Sequence, residues 1–184
     1  MTKDGLFLHQ CCAPCSHKVV ELFSTNFSIT GFWYNPNIHP ELEYKSRLEA
    51  LLSFNTRQGI KTVCAPAMPE AEWTGKAPEI APERCRFCYN LRLNKAAVEA
   101  KARGFTRFCT TLLISPFQKH ELVKEAGEAA ARAHGVEFYY RDMRQYYYES
   151  KQGARKDGLY IQKYCGCSYS KAEREEEKKA KMNA

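Results

Sequence analysis

The run His9-Gln10-Cys11-Cys12-Ala13-Pro14-Cys15-Ser16 constrains this chain more than any other. It sets three cysteines within five positions, directly after the apolar Leu6-Phe7-Leu8. Adjacent thiols do not readily close on one another, because a disulfide needs Cα atoms about 5.5–6 Å apart and a defined torsion. They can, however, point at neighbouring metal atoms. The stretch therefore reads as half of a metal site, and the other half must come from elsewhere in the chain.

Cys85-Arg86-Phe87-Cys88 supplies it. The i, i+3 spacing puts both thiols on one face of a first helical turn, where free N–H groups and the helix dipole favour thiolate over thiol. Thiolate is the form that a metal binds. Joined to Cys11 and Cys12, these residues make a four-thiolate site from segments more than seventy residues apart. Spacing leaves three chemistries open. A [4Fe–4S] cluster takes one thiolate at each iron and tolerates varied spacing. A structural zinc ordinarily uses two CxxC-like knuckles, and the first half here is not one. The third is thiol chemistry without metal. Cys15 is a surplus thiol beside the site, able to hold a second metal, act in redox or simply pack. Cys165-Gly166-Cys167 can close a strained, easily reduced disulfide, or bind metal, or pack in the core.

Nine cysteines in 184 residues is a high, odd count. A disulfide framework needs oxidising surroundings and normally an even set, so metal or redox chemistry is the default. Cys64 and Cys109 fit the role of small buried hydrophobes. The length suits one domain, residues 1–170, followed by a charged helical tail over 171–184. No run approaches the roughly 18 apolar residues of a membrane span, and the first five residues carry no signal-peptide core. A cytoplasmic protein is expected. Net charge is +7, and the tail supplies only +1 of it, which permits an anionic partner.

Gly5 to His9 reads as a buried strand, followed by a helix capped by Ser16 and a strand from Ser28 to Tyr34. Helical spacing from Pro40 to Gly59 precedes a β run, Ile60–Ala65, with Cys64 packed in it, and then a Pro/Ala/Glu-rich loop. A helix after Tyr89 closes at Gly104. Phe105 to Ile114 reads as a strand, Gln118 to Gly135 as a helix, and Val136 to Tyr140 as a last strand. Strands alternating with helices predict an α/β domain with a mostly parallel sheet, whose ligands bind beyond the carboxyl ends of the strands. Asp142 to Ser170 lacks periodicity and reads as irregular, and a charged, frayed helix ends the chain.

Eight of the eleven tyrosines fall between Tyr139 and Tyr169, interleaved with Arg141, Arg144, Lys151, Arg155, Lys156 and Lys163. Cations beside aromatic rings suit a surface that grips phosphates and stacks on splayed RNA bases, although Tyr and Lys also populate ordinary surfaces. His9 reads as a hydrogen-bonded residue at a strand end, His120 as a helix-start residue. Asp142 is an acid, a metal ligand, or the orienting partner of Arg144. Neither GxGxxG nor GxxxxGK[ST] is present, so a nucleotide cofactor has no support.

With these residues in view, the sequence resembles the cobalamin-independent epoxyqueuosine reductases of the QueH type. The motifs are LeuHisGlnCysCysAlaProCysSer at 8–16, CysArgPheCysTyrAsnLeuArgLeu at 85–93, ThrThrLeuLeuIleSerProPheGlnLysHis at 110–120 and GlyLeuTyrIleGlnLysTyrCysGlyCysSerTyrSer at 158–170. The resemblance implies a fold like that of the adenine-nucleotide α-hydrolases (the HUP fold), with cysteines where the ATP loop would stand. It implies a [4Fe–4S] cluster, held here by Cys11, Cys12, Cys85 and Cys88, and an additional mononuclear iron for which Cys15 and Asp142 are candidates. It implies reductive removal of the epoxide oxygen of epoxyqueuosine at the wobble position of tRNA, with electrons from an external donor. Arg144, Arg155, Tyr160 and Lys163 would then contact the anticodon loop, Cys165 and Cys167 would serve redox, and the chain would act as a monomer. Two other readings stand beside it: a zinc-stabilised RNA-binding module without catalysis, and a dithiol oxidoreductase acting on proteins.

Overall fold

Leu6, Phe7, Leu8 and His9 form the carboxyl-terminal two-thirds of the central strand and are fully buried, as a parallel strand covered by helices on both faces requires. The computed structural model describes residues 3–182. Its sheet contains β1 (Asp4–His9), β2 (Phe27–Trp33), β3 (Lys61–Cys64), β4 (Arg107–Thr110) and β5 (Glu137–Phe138), all parallel, in the order β3-β2-β1-β4-β5. The predicted α/β class with a parallel sheet is therefore observed. The order switches direction between β1 and β4, and in such sheets the crevice beyond the strand ends at that point is the ligand position. The thiol loop leaves β1 there, and Thr110-Thr111 leaves β4 there.

Seven α-helices are described: α1 (Ala13–Ser24), α2 (Glu41–Arg57), α3 (Glu70–Lys76), α4 (Glu83–Ala102), α5 (His120–His134), α6 (Tyr147–Lys156) and α7 (Ser168–Met182). On α1, Val19, Val20 and Phe23 supply the apolar stripe, and Phe23 meets Phe27 and Tyr139 edge-on. Gly127 lets α5 lie directly on Phe138, since a Cβ there would stand 2.4 Å from the ring. Two tryptophans, Trp33 and Trp73, are completely buried.

The structure corrects several expectations. Ser16 does not cap α1. The helix begins at Ala13 with Cys12 in the capping position, and the Ser16 hydroxyl donates back to the Cys12 carbonyl at 2.8 Å. The apolar run 105–114 is strand only over Arg107–Thr110. Thr110 Oγ1 accepts the Leu112 N–H, and the chain turns into a buried 3-10 turn, Thr111–Ile114. Cys64 lies on an edge strand and is exposed rather than packed. The Pro/Ala/Glu-rich loop contains α3, and the expected irregular segment contains α6. The tail expected from residue 171 is the continuation of α7, tied to α4 by a 2.6 Å Arg84–Glu173 ion pair. Residues 1, 2, 183 and 184 of the expected segments lie outside the described residues.

Candidate metal centre

The β1–α1 turn is short because Pro14 pre-sets the first turn of α1 and Cys12 caps it in extended conformation. That geometry stacks Cys11, Cys12 and Cys15 at one helix N-terminus, with their three sulfurs within 4.8 Å of one another. Cys12 and Cys15 are buried and Cys11 is half-buried. Hydrogen bonds from Cys12 and Cys15 hold the Cys11 thiol well below its ordinary value, burial and the contact with Cys11 push Cys12 up, and the contacts with Cys11 and Cys12, with burial, push Cys15 up. Of the three thiols, Cys11 therefore gives up its proton most readily.

Surrounding groups aim donors at sulfur. Thr111 Oγ1 accepts the Cys11 N–H at 3.1 Å and sends its own proton to Cys11 Sγ at 3.3 Å. Gln162 Nε2 donates to Cys12 Sγ at 2.9 Å. His9, fully buried between Thr110 Oγ1 and the Tyr34 carbonyl, is held neutral by burial, its pKa lowered to about 3. It is the hydrogen-bonded strand-end residue that the sequence predicts. Gln10 forms a paired amide contact with Asn55 beneath the turn.

The second cysteine pair enters on α4. Cys88 is buried and Cys85 half-buried, in the first turns of the helix as expected. Neither sulfur falls within the 4.8 Å group that Cys15 completes with Cys11 and Cys12. Between them stands Arg92, one helical turn beyond Cys88. Its guanidinium is buried, donates to Asn35 Oδ1 at 2.6 Å and reaches Cys88 Sγ at 3.7 Å, and its Nε has no partner. Among the described residues it meets no carboxylate, and the groups that face it are the sulfurs of Cys88 and Cys11. A buried cation without a compensating charge is strongly destabilising. Burial pushes the Cys88 thiol up to about 12, and Arg92 opposes that rise.

Cys165 and Cys167 sit on the 159–167 loop, which Arg47 clamps by donating to the carbonyls of Cys165 and Tyr164 at 3.0 and 3.1 Å. Gly166, at φ +137, lets this loop press against Ile38 and Asn37. Both thiols are free, as are the other seven, so the disulfide that the Cys-Gly-Cys spacing permits is not formed here. Cys167 is buried with Cys88 and Trp73, and Cys165 is exposed, with Gln118 Nε2 at 3.7 Å from its sulfur.

Above the trio opens a cavity of about 480 Å³ whose wall includes Cys11, Cys15, Cys165, Gln162 and Tyr147. Five cations (Arg47, Arg92, Lys151, Lys163, Arg174) and two carboxylates (Glu173, Glu177) line it. Of the predicted RNA contacts, Lys163 alone is on this wall. Arg144 is bound by Asp142 through contacts of 3.0 and 2.6 Å, which hold the Asp142 pKa down at about 2. The Asp142 carboxylate lies 4.0 Å from His120 and outside the thiol trio. Tyr160 is exposed and donates to Glu43, and Arg155 is exposed on α6. Sequence reasoning missed Thr111, Gln162 and Arg92. Only Arg92 carried a readable signal, its position four residues after Cys88 on one helical face.

A model of the family described as epoxyqueuosine reductase QueH matches residues 6–173. The chain is 38% identical over 170 residues to the epoxyqueuosine reductase QueH of Dehalococcoides mccartyi, covering 92% of this chain and 93% of that one. It is 35% identical to the protein of that name from Acinetobacter baylyi, over 91% of this chain and 80% of the relative. With the Thermotoga maritima protein of the same name it shares 32% identity over 93% and 92% of the two chains. Among the described residues, no helix is long and apolar enough to cross a membrane.

Proposed function

The chain belongs to the epoxyqueuosine reductase QueH family, and from that premise we propose that it converts epoxyqueuosine to queuosine in tRNA, using a metal centre built on the Cys11–Cys12–Cys15 trio. The observation that carries the proposal is the placement of those three thiols at the sheet's switch point, with Cys11 and Cys15 on the wall of a cation-lined cavity. Overall, the epoxide gains two electrons and two protons, the C–O bonds break, and an alkene and water leave. A tRNA-modifying enzyme of this kind acts in the cytoplasm and draws its electrons from an external donor.

The donor set fits an iron–sulfur group. Three soft sulfurs converge without a carboxylate among them, hydrogen-bond donors point at them, and a buried guanidinium waits for negative charge. Cys11, Cys12 and Cys15 would hold it, Cys85 and Cys88 are the further ligand candidates on α4, and Asp142, kept ionised by Arg144, is the candidate oxygen ligand of a second metal. A [4Fe–4S] cluster with a neighbouring iron would supply single electrons and a Lewis acid.

The chain's own residues do the rest. Arg47 fixes the loop that carries Gln162, Lys163 and Cys165, so this wall of the cavity keeps its shape. Burial and the nearby thiols raise Tyr147 to about 12, so its phenol keeps its proton at neutral pH. Tyr147, on the cavity wall, is therefore a hydrogen-bond donor available to a departing oxygen. Lys151 and Lys163 attract the phosphates on either side of the bound nucleotide.

The experiment is conversion of epoxyqueuosine-containing tRNA by anaerobically prepared protein with a chemical reductant, read as loss of one oxygen from the modified nucleoside. Wild type should convert it and retain iron, and Cys12→Ser should lose both. Iron-loaded wild-type protein that leaves the epoxide intact overturns the reading. So does a protein that takes up zinc alone and binds tRNA without converting it.

A further inference from the structure

The loop between the 3-10 turn and α5 presents Phe117 75% exposed, although the residue lines the same cavity as Cys11 and Cys15. A phenyl ring so exposed adds little to the core. Its position is nevertheless fixed. It meets Tyr147 edge-on at 5.6 Å and 77°, and its N–H bonds to Ser115 Oγ. Tyr89 Oη anchors the next two residues through Gln118 Oε1 and the Lys119 N–H. Tyr148, 70% exposed, also meets Tyr147 edge-on, at 5.3 Å. The bare Phe117 ring on the cavity wall is thus held by the ring of Tyr147. Lys151 lies 5.5 Å from the Tyr147 centroid, and Lys163 is on the wall.

We propose that Phe117 is a stacking shelf for a base of the substrate tRNA adjacent to the nucleotide drawn into the cavity. The inference rests on the tRNA reading above and adds a contact residue outside the Tyr-rich segment. A cavity of about 480 Å³ accepts one group of small-molecule size, so the adjoining nucleotides of a single-stranded loop must lie on its rim. Unstacked loop bases are held by aromatic faces with cations at the phosphates, and the rim offers that combination. A T-shaped contact with Tyr147 occupies at most one face of the Phe117 ring, so a face remains for stacking.

Trp33 and Trp73 are both fully buried, so Phe117→Trp introduces an indole whose emission reports contact at the rim. Titrating this variant with an unmodified anticodon stem-loop RNA should give saturable quenching. Phe117→Ala should weaken binding of that RNA by about fivefold or more, the loss expected for one base–aromatic stack, with an unchanged melting temperature. With epoxyqueuosine tRNA the defect should fall on KM more than on kcat, and Phe117→Tyr should restore it. Absence of quenching, with Phe117→Ala binding as tightly as wild type, overturns the shelf even if wild type converts the epoxide. Quenching by RNA without any conversion would uphold the shelf and overturn the enzymatic reading alone.

Discussion

Thr111 serves both the backbone and the sulfur of Cys11, accepting from one and donating to the other. Thr111→Val keeps the shape and removes both contacts, so retained iron should yield to a chelator about 10- to 100-fold more readily, the usual cost of losing a donor to a metal ligand. Circular dichroism should show the fold intact. At this scale the clustered cysteines were legible because three thiols in five positions have few other uses. The membership of Cys15 was not, because only the helix starting at Ala13, not at Ser16, brings its sulfur back over Cys11 and Cys12. Thr111 was invisible for a different reason. It lies a hundred residues from its partner, and nothing local separates it from any threonine at a strand end. Cys64 was misjudged because an apolar neighbourhood in sequence does not reveal which strand is an edge.

Helices with an apolar stripe were readable from sequence, and α6 shows why others were not. It is held against α1 by small groups and hydrogen bonds: Ser150 Oγ donates to the Pro14 carbonyl at 2.7 Å and accepts the Lys18 N–H at 2.9 Å, with Ala154 buried beside it. Such a face has no hydrophobic period to detect. The apolar run 105–114 failed in the opposite way, since a buried strand and a buried 3-10 turn look alike in composition. Where α5 meets β5 the contact has no slack. Gly127→Ala should gain helix propensity worth about 1 kcal/mol yet lose more through overpacking on Phe138, which typically costs about 1–3 kcal/mol. Its added Cβ would stand 2.4 Å from the ring. A lower melting temperature than wild type is expected in calorimetry, and equal or higher stability would show that β5 yields.

For the whole molecule, the charge of +7 becomes informative only once the fold gathers cations around one cavity. Phosphate contacts release counterions, so log K for RNA should fall linearly with log salt, at about 0.7 per contact to a single strand. Replacing Lys151 and Lys163 together with Gln should flatten that slope by about twice as much, read by fluorescence anisotropy across a salt series. An unchanged slope would place the RNA elsewhere. Of the cations in the Tyr-rich segment, Lys151 and Lys163 reached the cavity wall while Arg144 was claimed by Asp142, because composition cannot tell a free cation from a paired one. The parallel sheet also tapers outward, from six and seven residues in β1 and β2 to four in β3 and two in β5. Its rims therefore expose few unpaired amides on which a second polypeptide could zip, and fibril growth through this sheet has little template from which to start.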